Sequence, residues 1–194
     1  MKSGKPTGNQ RLVFMPGDDR DNNACVNCYG VSIDLYSRGY KQAADVLVEH
    51  VMATHSSQDV LVYPIAYLYR HHLELELKGL LMMCMQIQTG RAKCPGHHDI
   101  KQLWCEFRSS FTMIHPDYPD DLAAIELSLR EFIEVDPKAT TFRYPASKSG
   151  QASLPSDISL INLRHLKETL CSLSENLSAL ASALGMVLDG MVES

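Results

Sequence analysis

Three charged residues near the middle of the chain are spaced as one face of a helix. Arg70, Glu74 and Lys78 follow one another at intervals of four residues, so a helix places them in a single polar stripe. Apolar neighbours such as Leu77 and Leu81 predict that this stripe has little contact with solvent, and buried charges need partners. Two interpretations remain open: a functional polar cluster, or ion pairs with a purely structural role.

Partners for the stripe are expected in two segments further along the chain. The first is the start of the next helix, with His97, His98 and Asp99. The second is a predicted loop at 136–156, whose three prolines and unusual length suggest a functional element. This loop either contacts a nucleotide by charge and stacking or attaches itself to the helices; its residues of interest are Asp136, Phe142, Arg143, Tyr144 and Lys148.

Two further pairs of residues predict a zinc site as a weaker alternative. Cys25 and Cys28 are separated by two residues, and so are Cys94 and His97. Together they would supply the four ligands of a tetrahedral zinc ion. The chain between the pairs is longer than in compact zinc modules, so the main interpretation includes no metal and no other cofactor.

The elements that position these residues are predicted to be helices. Apolar residues recur at intervals of three and four, Gly90 is placed to end a helix, and Asp99 and Gln102 have the spacing of a capping box. Strand periodicity is weak throughout, so the predicted fold class is an all-α bundle that follows a flexible or extended arm at 1–28. The bundle itself is predicted to occupy 29–194, with helices at 29–54, 59–88, from 99 through 107, at 120–134 and from about 156 almost to the end.

The last predicted helix has an apolar heptad pattern that allows two interpretations. It either closes the chain's own bundle or forms the seam of a homodimer, and the pattern is equally compatible with both. The residues of this pattern are Leu163, Leu166, Leu170, Leu173, Leu177, Leu180, Leu184, Val187 and Met191.

Composition narrows the classes of protein to which the chain can belong. Its 194 residues predict one domain, and 45% of them are hydrophobic, as in a globular protein with a core. A formal net charge of −5 argues against a protein coated in basic charge for duplex DNA, although a local basic patch can bind RNA. A signal peptide and an uninterrupted apolar run of membrane-spanning length are both missing, which predicts a cytoplasmic protein without membrane contact.

The order of several short motifs resembles the HEPN superfamily, and in particular a group of uncharacterised bacterial HEPN-like proteins. The motifs are "LYRHHLELELK" at 68–78, "GHHDIKQLW" at 96–104 and "FRYP" at 142–145. This resemblance covers roughly 29–185 and implies a helical bundle that dimerises. Many HEPN proteins are metal-independent ribonucleases of toxin–antitoxin, CRISPR and phage-defence systems, whereas others have lost catalysis and act as binding or assembly modules.

The HEPN catalytic signature is an arginine followed after four to six residues by a histidine. Arg91 with His97 and Arg108 with His115 have this spacing, but neither lies in the sequence context of the signature. A rearranged site is therefore predicted, because histidine can transfer a proton near neutral pH and arginine can neutralise a phosphorane-like charge. The predicted catalytic residues are Arg70, His71, His72, Glu74, Lys78, His97 and Arg143, and the predicted RNA-binding residues are His98, Tyr144 and Lys148.

Three functions follow from these observations as expectations. The first is a component of a bacterial defence or toxin–antitoxin type system that binds RNA and cleaves it without metal. The second is a non-catalytic module that assembles with a partner protein encoded by a neighbouring gene. The third is a structural protein stabilised by zinc. A homodimer through the last helix is expected in addition to either of the first two.

Overall fold

The computed structural model describes residues 13–26, 32–118 and 120–192, with the backbone alone at 120, 121 and 192. The chain divides into two units, Met1–Val31 and Ser32–Ser194. Within the described part of the first unit, a short 3₁₀ helix spans Arg20–Asn22. Asn23 stabilises this segment, because its side chain bonds both the backbone N–H and the carbonyl of Gly17.

The second unit is a bundle of five helices, and no strand is present in the described residues of the chain. This confirms the predicted all-α class. The helices are α1 (Ile33–Thr54), α2 (Gln58–Thr89), α3 (Ile100–Ile114), α4 (Asp120–Val135) and α5 (Leu163–Val192). The segment expected to open the first helix, 29–31, lies outside the described residues.

Local sequence signals explain where several of these helices begin and end. Ser32 begins α1, since its side chain accepts a hydrogen bond from the Leu35 N–H. Gly90 ends α2 in the left-handed conformation that was expected of it, at φ 71°. Asp99 caps α3 by accepting from the Gln102 N–H, which is half of the predicted capping box. The other half is missing because the Gln102 side chain bonds Glu106 instead, at 2.8 Å.

The second helix, α2, is the centre of the bundle and packs against α1, α3 and α5. Four of its apolar side chains, one on each successive turn, are completely buried: Ile65, Tyr69, Leu73 and Leu77. They form the core together with Trp104 and Phe107 of α3 and with the leucines of α5. Because other helices cover α2 on several sides, its charged residues must lie inside the protein or at the edge of a contact with another segment.

The predicted start of the last helix near residue 156 is wrong, because α5 begins at Leu163. Pro155 instead accepts a hydrogen bond from the Ile158 N–H and forms a turn. Asn162 supplies the cap, since its side-chain oxygen accepts from the His165 N–H at 3.0 Å. The loop between α4 and α5 therefore extends over 136–162 rather than 136–156.

The leucine stripe of α5 is buried within the chain's own bundle. Five of its leucines have at most 1% of their surface exposed: Leu170, Leu173, Leu177, Leu180 and Leu184. This observation favours the first interpretation of the heptad pattern, because these side chains belong to the core of a bundle in which α5 packs against α2, α4 and α1. A homodimer stays a prediction, and if it forms through α5 it must use another face of that helix.

By length and composition alone, α5 is the one helix of the described residues that could cross a membrane. The mean hydropathy of its most apolar stretch is 1.2. The core helix of a soluble protein passes the same test; in α5, 33% of this stretch is buried inside the bundle.

Candidate functional site

Arg70 is completely buried and connects α2 to two other segments of the chain. Its guanidinium group donates four hydrogen bonds, one of them to the Glu74 carboxylate at 2.8 Å. The other three go to backbone carbonyls: Asp136 at 2.9 Å, His98 at 2.6 Å and Pro137 at 2.8 Å. Only the planar fork of arginine can satisfy so many acceptors at once, so Arg70 holds the segments before α3 and after α4 against α2.

Glu74 is the anion at the centre of this cluster, and its side chain is 1% exposed. One carboxylate oxygen, Oε2, bonds Arg70, while the other, Oε1, accepts from Lys78 Nζ at 3.0 Å. Burial by itself would raise the pKa of Glu74, but the nearby His71 and hydrogen bonds from His98 and Lys78 outweigh it and hold this pKa far below its usual range. Glu74 is therefore ionised at neutral pH. We call Arg70, Glu74, Lys78 and His98 the ion cluster.

Two histidines reach Glu74 from the protein surface. His98 Nδ1 lies 2.7 Å from Glu74 Oε1, and the His98 side chain is 66% exposed. His71 Nδ1 lies 3.9 Å from Glu74 Oε2, and the His71 side chain is 21% exposed. A buried carboxylate that bonds one nitrogen of an imidazole orients the ring and leaves the other nitrogen available to a ligand. Glu74 is thus placed to orient His98, whereas His71 lies near the same carboxylate but beyond hydrogen-bond distance of it.

His97, the expected catalytic histidine, has a different partner from its neighbour. His97 Nε2 lies 3.4 Å from Glu106 Oε2 on α3, and its side chain is 28% exposed. The structure therefore gives different partners to two adjacent histidines, of which His97 was predicted to be catalytic and His98 to bind RNA. His98 joins Arg70, Glu74 and Lys78, as was expected of the polar stripe, whereas His97 belongs to a pair on α3.

His72 faces the interior on another side of α2, although it was predicted among the catalytic residues. Its Nδ1 lies 2.8 Å from Ser37 Oγ and 3.1 Å from the Ser37 carbonyl on α1. Its Nε2 lies 2.8 Å from Ser174 Oγ on α5. Both ring nitrogens therefore have a hydrogen-bond partner within 3.1 Å, one on α1 and the other on α5, so His72 joins three helices. Burial, reinforced by the charge of Lys41 and opposed by the Ser37 hydrogen bond, lowers the pKa of His72 to about 4.

We expect the free energy of unfolding to fall as the pH is lowered from about 7 to about 4.5. The unfolded chain protonates His72 near pH 6.5, whereas the folded protein does so only near pH 4. The unfolded state binds more protons between these values, so it gains stability relative to the folded state. The loss due to His72 should be about 2–3 kcal/mol, measured by urea unfolding at each pH. The matched control is His72→Gln, in which this part of the pH dependence should disappear; an unchanged slope would contradict the assignment.

The beginning of the long loop is ordered by Asp136, which is completely buried. Its Oδ1 accepts from the backbone N–H groups of Thr140 and Thr141, at 2.7 and 3.0 Å. The Thr141 hydroxyl donates to the Val135 carbonyl at 2.8 Å and closes the turn after α4. This turn presents the two carbonyls that Arg70 binds, so Asp136 supports the ion cluster through the backbone, as well as by its charge.

Aromatic rings and one arginine form a stack that begins beside the ion cluster. The His71 ring is parallel to Tyr67, at 5.9 Å between centroids, and Tyr40 contacts its edge at 4.4 Å. The Arg143 guanidinium lies 5.7 Å from the centre of the Tyr67 ring and 5.3 Å from that of Tyr144. We call these five residues the stack. Lys148 is exposed further along the same loop.

Of the residues in the zinc alternative, only Cys94 and His97 belong to the described part of the second unit. Cys28 lies outside the described residues, and Cys25 belongs to the first unit. Cys94 is exposed, and His97 is paired with Glu106. Among the residues that the structure describes, no group of three histidine, cysteine or acidic side chains is arranged to hold a metal ion.

Arg108 and His115, one of the two pairs with the arginine–histidine spacing of the HEPN signature, make contacts with different residues. Arg108 pairs with Glu126 of α4 at 2.6 Å. His115 packs against the rings of Phe111 and Tyr118. Since Arg108 and His115 each have a different partner, this pair is not assembled as one site.

Fold and site together define an all-α bundle in which a buried carboxylate bonds one exposed histidine, His98, and lies near a second, His71. Comparison of the chain with protein-family models, with curated proteins and with solved structures gives no match.

Sequence reasoning missed the contacts that depend on the surface of another helix. Ser37 and Ser174 pair with His72 but have no distinctive spacing from it. Tyr40 and Tyr67 flank His71, and a signal for Tyr67 did exist, because it precedes His71 by one helical turn and faces the same side.

Proposed function

We propose that this protein is a HEPN-like RNA-binding protein of a bacterial defence or toxin–antitoxin type system, acting in the cytoplasm. We further propose that it cleaves RNA without metal, using His98, which Glu74 bonds, and the neighbouring His71. The observation that carries this proposal is the 2.7 Å contact between the buried, ionised Glu74 and the exposed imidazole of His98. The resemblance to HEPN proteins supports the class of system and a homodimeric state.

The proposed reaction needs one group to remove a proton and another to supply one. His98, the more exposed of the two histidines, removes the proton of a ribose 2′-hydroxyl, whose oxygen attacks the adjacent phosphorus. His71 protonates the 5′-oxygen as its bond to phosphorus breaks, which leaves a 2′,3′-cyclic phosphate and a 5′-hydroxyl. Arg143, exposed in the loop, neutralises the charge that develops on the phosphoryl oxygens.

Arg70 does not act on the RNA itself in this proposal, although it was predicted to be a catalytic residue. It is completely buried and its guanidinium is bonded to Glu74 and to three carbonyls. It is therefore a positioning residue, which fixes Glu74 and the segment that carries His98. Lys78, buried on the other side of Glu74, has the same role.

We expect His98→Ala to lower RNA cleavage by a factor of about 100 or more, as the loss of a general acid or base does. The measurement is incubation of the purified protein with tRNA and total RNA in EDTA, followed by gel analysis and identification of the cyclic phosphate end. The substituted protein should stay folded, because Glu74 keeps its bonds to Arg70 and Lys78.

The adjacent residue provides the matched control for this experiment. His97→Ala removes an identical side chain that is paired with Glu106, so it should leave cleavage close to that of the unaltered protein. Three results would each contradict the catalytic proposal: no cleavage by the unaltered protein, full cleavage by His98→Ala, or loss of cleavage in His97→Ala alone.

The second candidate is a non-catalytic module that assembles with a partner protein from a neighbouring gene. It is favoured by apolar side chains of α1 that are about half exposed, namely Leu35 at 51%, Tyr36 at 51% and Val46 at 55%. The cleavage assay separates the two candidates. An unaltered protein that neither cleaves nor binds RNA, but forms a complex with the neighbouring gene product that Val46→Glu disrupts, supports the module.

A further inference from the structure

The stack ends in the ring of Tyr144, which is exposed on the protein surface. Tyr144 is 55% exposed, and the Arg143 guanidinium lies 5.3 Å from the centre of its ring. The same guanidinium lies 5.7 Å from the centre of the Tyr67 ring on α2. Both distances are within the range of a cation–π contact. The arginine thus attaches the loop to α2 and holds Tyr144 in place before any ligand binds.

The loop that carries this ring is locally basic in an acidic protein. The loop at 136–162 has three cationic residues against two acidic ones, Asp136, which is buried, and Asp157, whereas the whole chain has a formal net charge of −5. All three cationic residues are exposed: Lys138, Arg143 and Lys148. Positive charge concentrated beside an exposed ring is suited to a ligand that is both anionic and aromatic.

The other end of the stack lies next to the proposed reaction centre. Tyr67 contacts Arg143 on the loop and also lies parallel to the ring of His71. His71 in turn reaches the Glu74 carboxylate. A ligand held at Tyr144 is therefore connected by consecutive contacts to His71, which lies beside the ion cluster.

We propose that Tyr144 and Arg143 bind an unpaired nucleotide, so that the protein selects single-stranded RNA over duplex RNA. This inference rests on the proposed function for the identity of the ligand as RNA. The base stacks on the exposed part of the Tyr144 ring, while Arg143 and Lys148 contact the phosphates on either side. A base inside a duplex has both faces covered by its neighbours, so it cannot stack on a protein ring in this way.

The test uses a probe that can bind but cannot be cleaved through its 2′-hydroxyl. Two fluorescent 2′-O-methyl RNAs of the same base composition are compared by anisotropy, a single strand of about twelve nucleotides and a hairpin of matched length. We expect the single strand to bind at least about tenfold more tightly than the hairpin. Tyr144→Ala should weaken binding of the single strand roughly 5- to 150-fold, and Tyr144→Phe should retain most of the affinity because the ring remains.

Two controls separate stacking from general effects of charge and aromatic surface. Tyr36→Ala removes a tyrosine that is 51% exposed on α1 and should leave binding unchanged. Lys138→Gln removes a cation of the same loop that is exposed, and it should weaken binding less than Tyr144→Ala does. Equal losses in Lys138→Gln and Tyr144→Ala would show that the charge of the loop, rather than stacking, determines binding.

The inference is overturned by equal affinity for the single strand and the hairpin, or by a Tyr144→Ala protein that binds like the unaltered one. Either result, combined with cleavage that depends on His98, would reject selection of unpaired nucleotides and leave the proposed function intact. Selective binding of the single strand without any cleavage would support selection of unpaired nucleotides and reject the proposed cleavage of RNA.

Discussion

Replacing Arg70 by methionine is expected to lower the free energy of unfolding by about 3–5 kcal/mol, because a buried ion loses its partner. Methionine fills most of the volume but leaves Glu74 without its closest buried cation. It also removes the donors to the carbonyls of His98 and Asp136. Unmade hydrogen bonds in a buried position are costly, so the segments before α3 and after α4 should both loosen. Urea unfolding followed by circular dichroism measures the change.

An exposed pair on α1 is the matched control for this substitution. Asp34 and Arg38 have the same four-residue spacing and a similar separation, 3.0 Å, but their side chains are 63% and 69% exposed. Arg38→Met should therefore change the free energy of unfolding by no more than about 0.5 kcal/mol. A loss from Arg70→Met as small as that from Arg38→Met would mean that the guanidinium is not structurally required. Arg70→Lys should recover little, because one ammonium group cannot replace the fork.

Replacing Leu177 by aspartate is expected to prevent folding altogether. Leu177 is completely buried in the core. A typical domain is stabilised by only about 5–15 kcal/mol. An unpaired buried carboxylate, together with the lost packing, costs more than such a domain can absorb. Even the milder Leu177→Ala should cost about 2–5 kcal/mol. Thermal unfolding by circular dichroism and mass measurement by light scattering would test both substitutions.

The next residue along α5 offers a control with the opposite exposure. Ser178 is exposed, and Ser178→Asp should change stability by no more than about 0.5 kcal/mol. If Leu177→Asp instead gave a folded monomer from a native dimer, the leucine stripe would be an interface between chains rather than part of the core.

The parts of the structure that could be predicted are those set by regular helical geometry. Arg70, Glu74 and Lys78 share a face because four residues make about one turn, and that relation needs no knowledge of the rest of the fold. Gly90 and Asp99 act at helix ends for equally local reasons. The all-α class follows from the same periodicity repeated along the chain.

Contacts between elements could not be predicted with the same certainty. His97 and His98 lie in an irregular segment without a repeating geometry, so nothing in the sequence says which of them turns toward α2. In the structure, the His98 carbonyl accepts from Arg70 and its imidazole bonds Glu74. The leucine stripe shows the same limit, because an apolar stripe is identical whether it packs on its own chain or on another one.

The ion cluster also has a consequence for the order in which this protein can fold during synthesis. Arg70 requires acceptors from His98, Asp136 and Pro137, and the last of these leaves the ribosome well after α2 is complete. Until then α1 and α2 can pair as a hairpin, but Arg70 and Glu74 keep their water, since closing over them would leave carbonyls and charge unmatched. The first half of the chain therefore stays hydrated at its centre while translation proceeds, and it closes only when α4 and the turn after it have emerged.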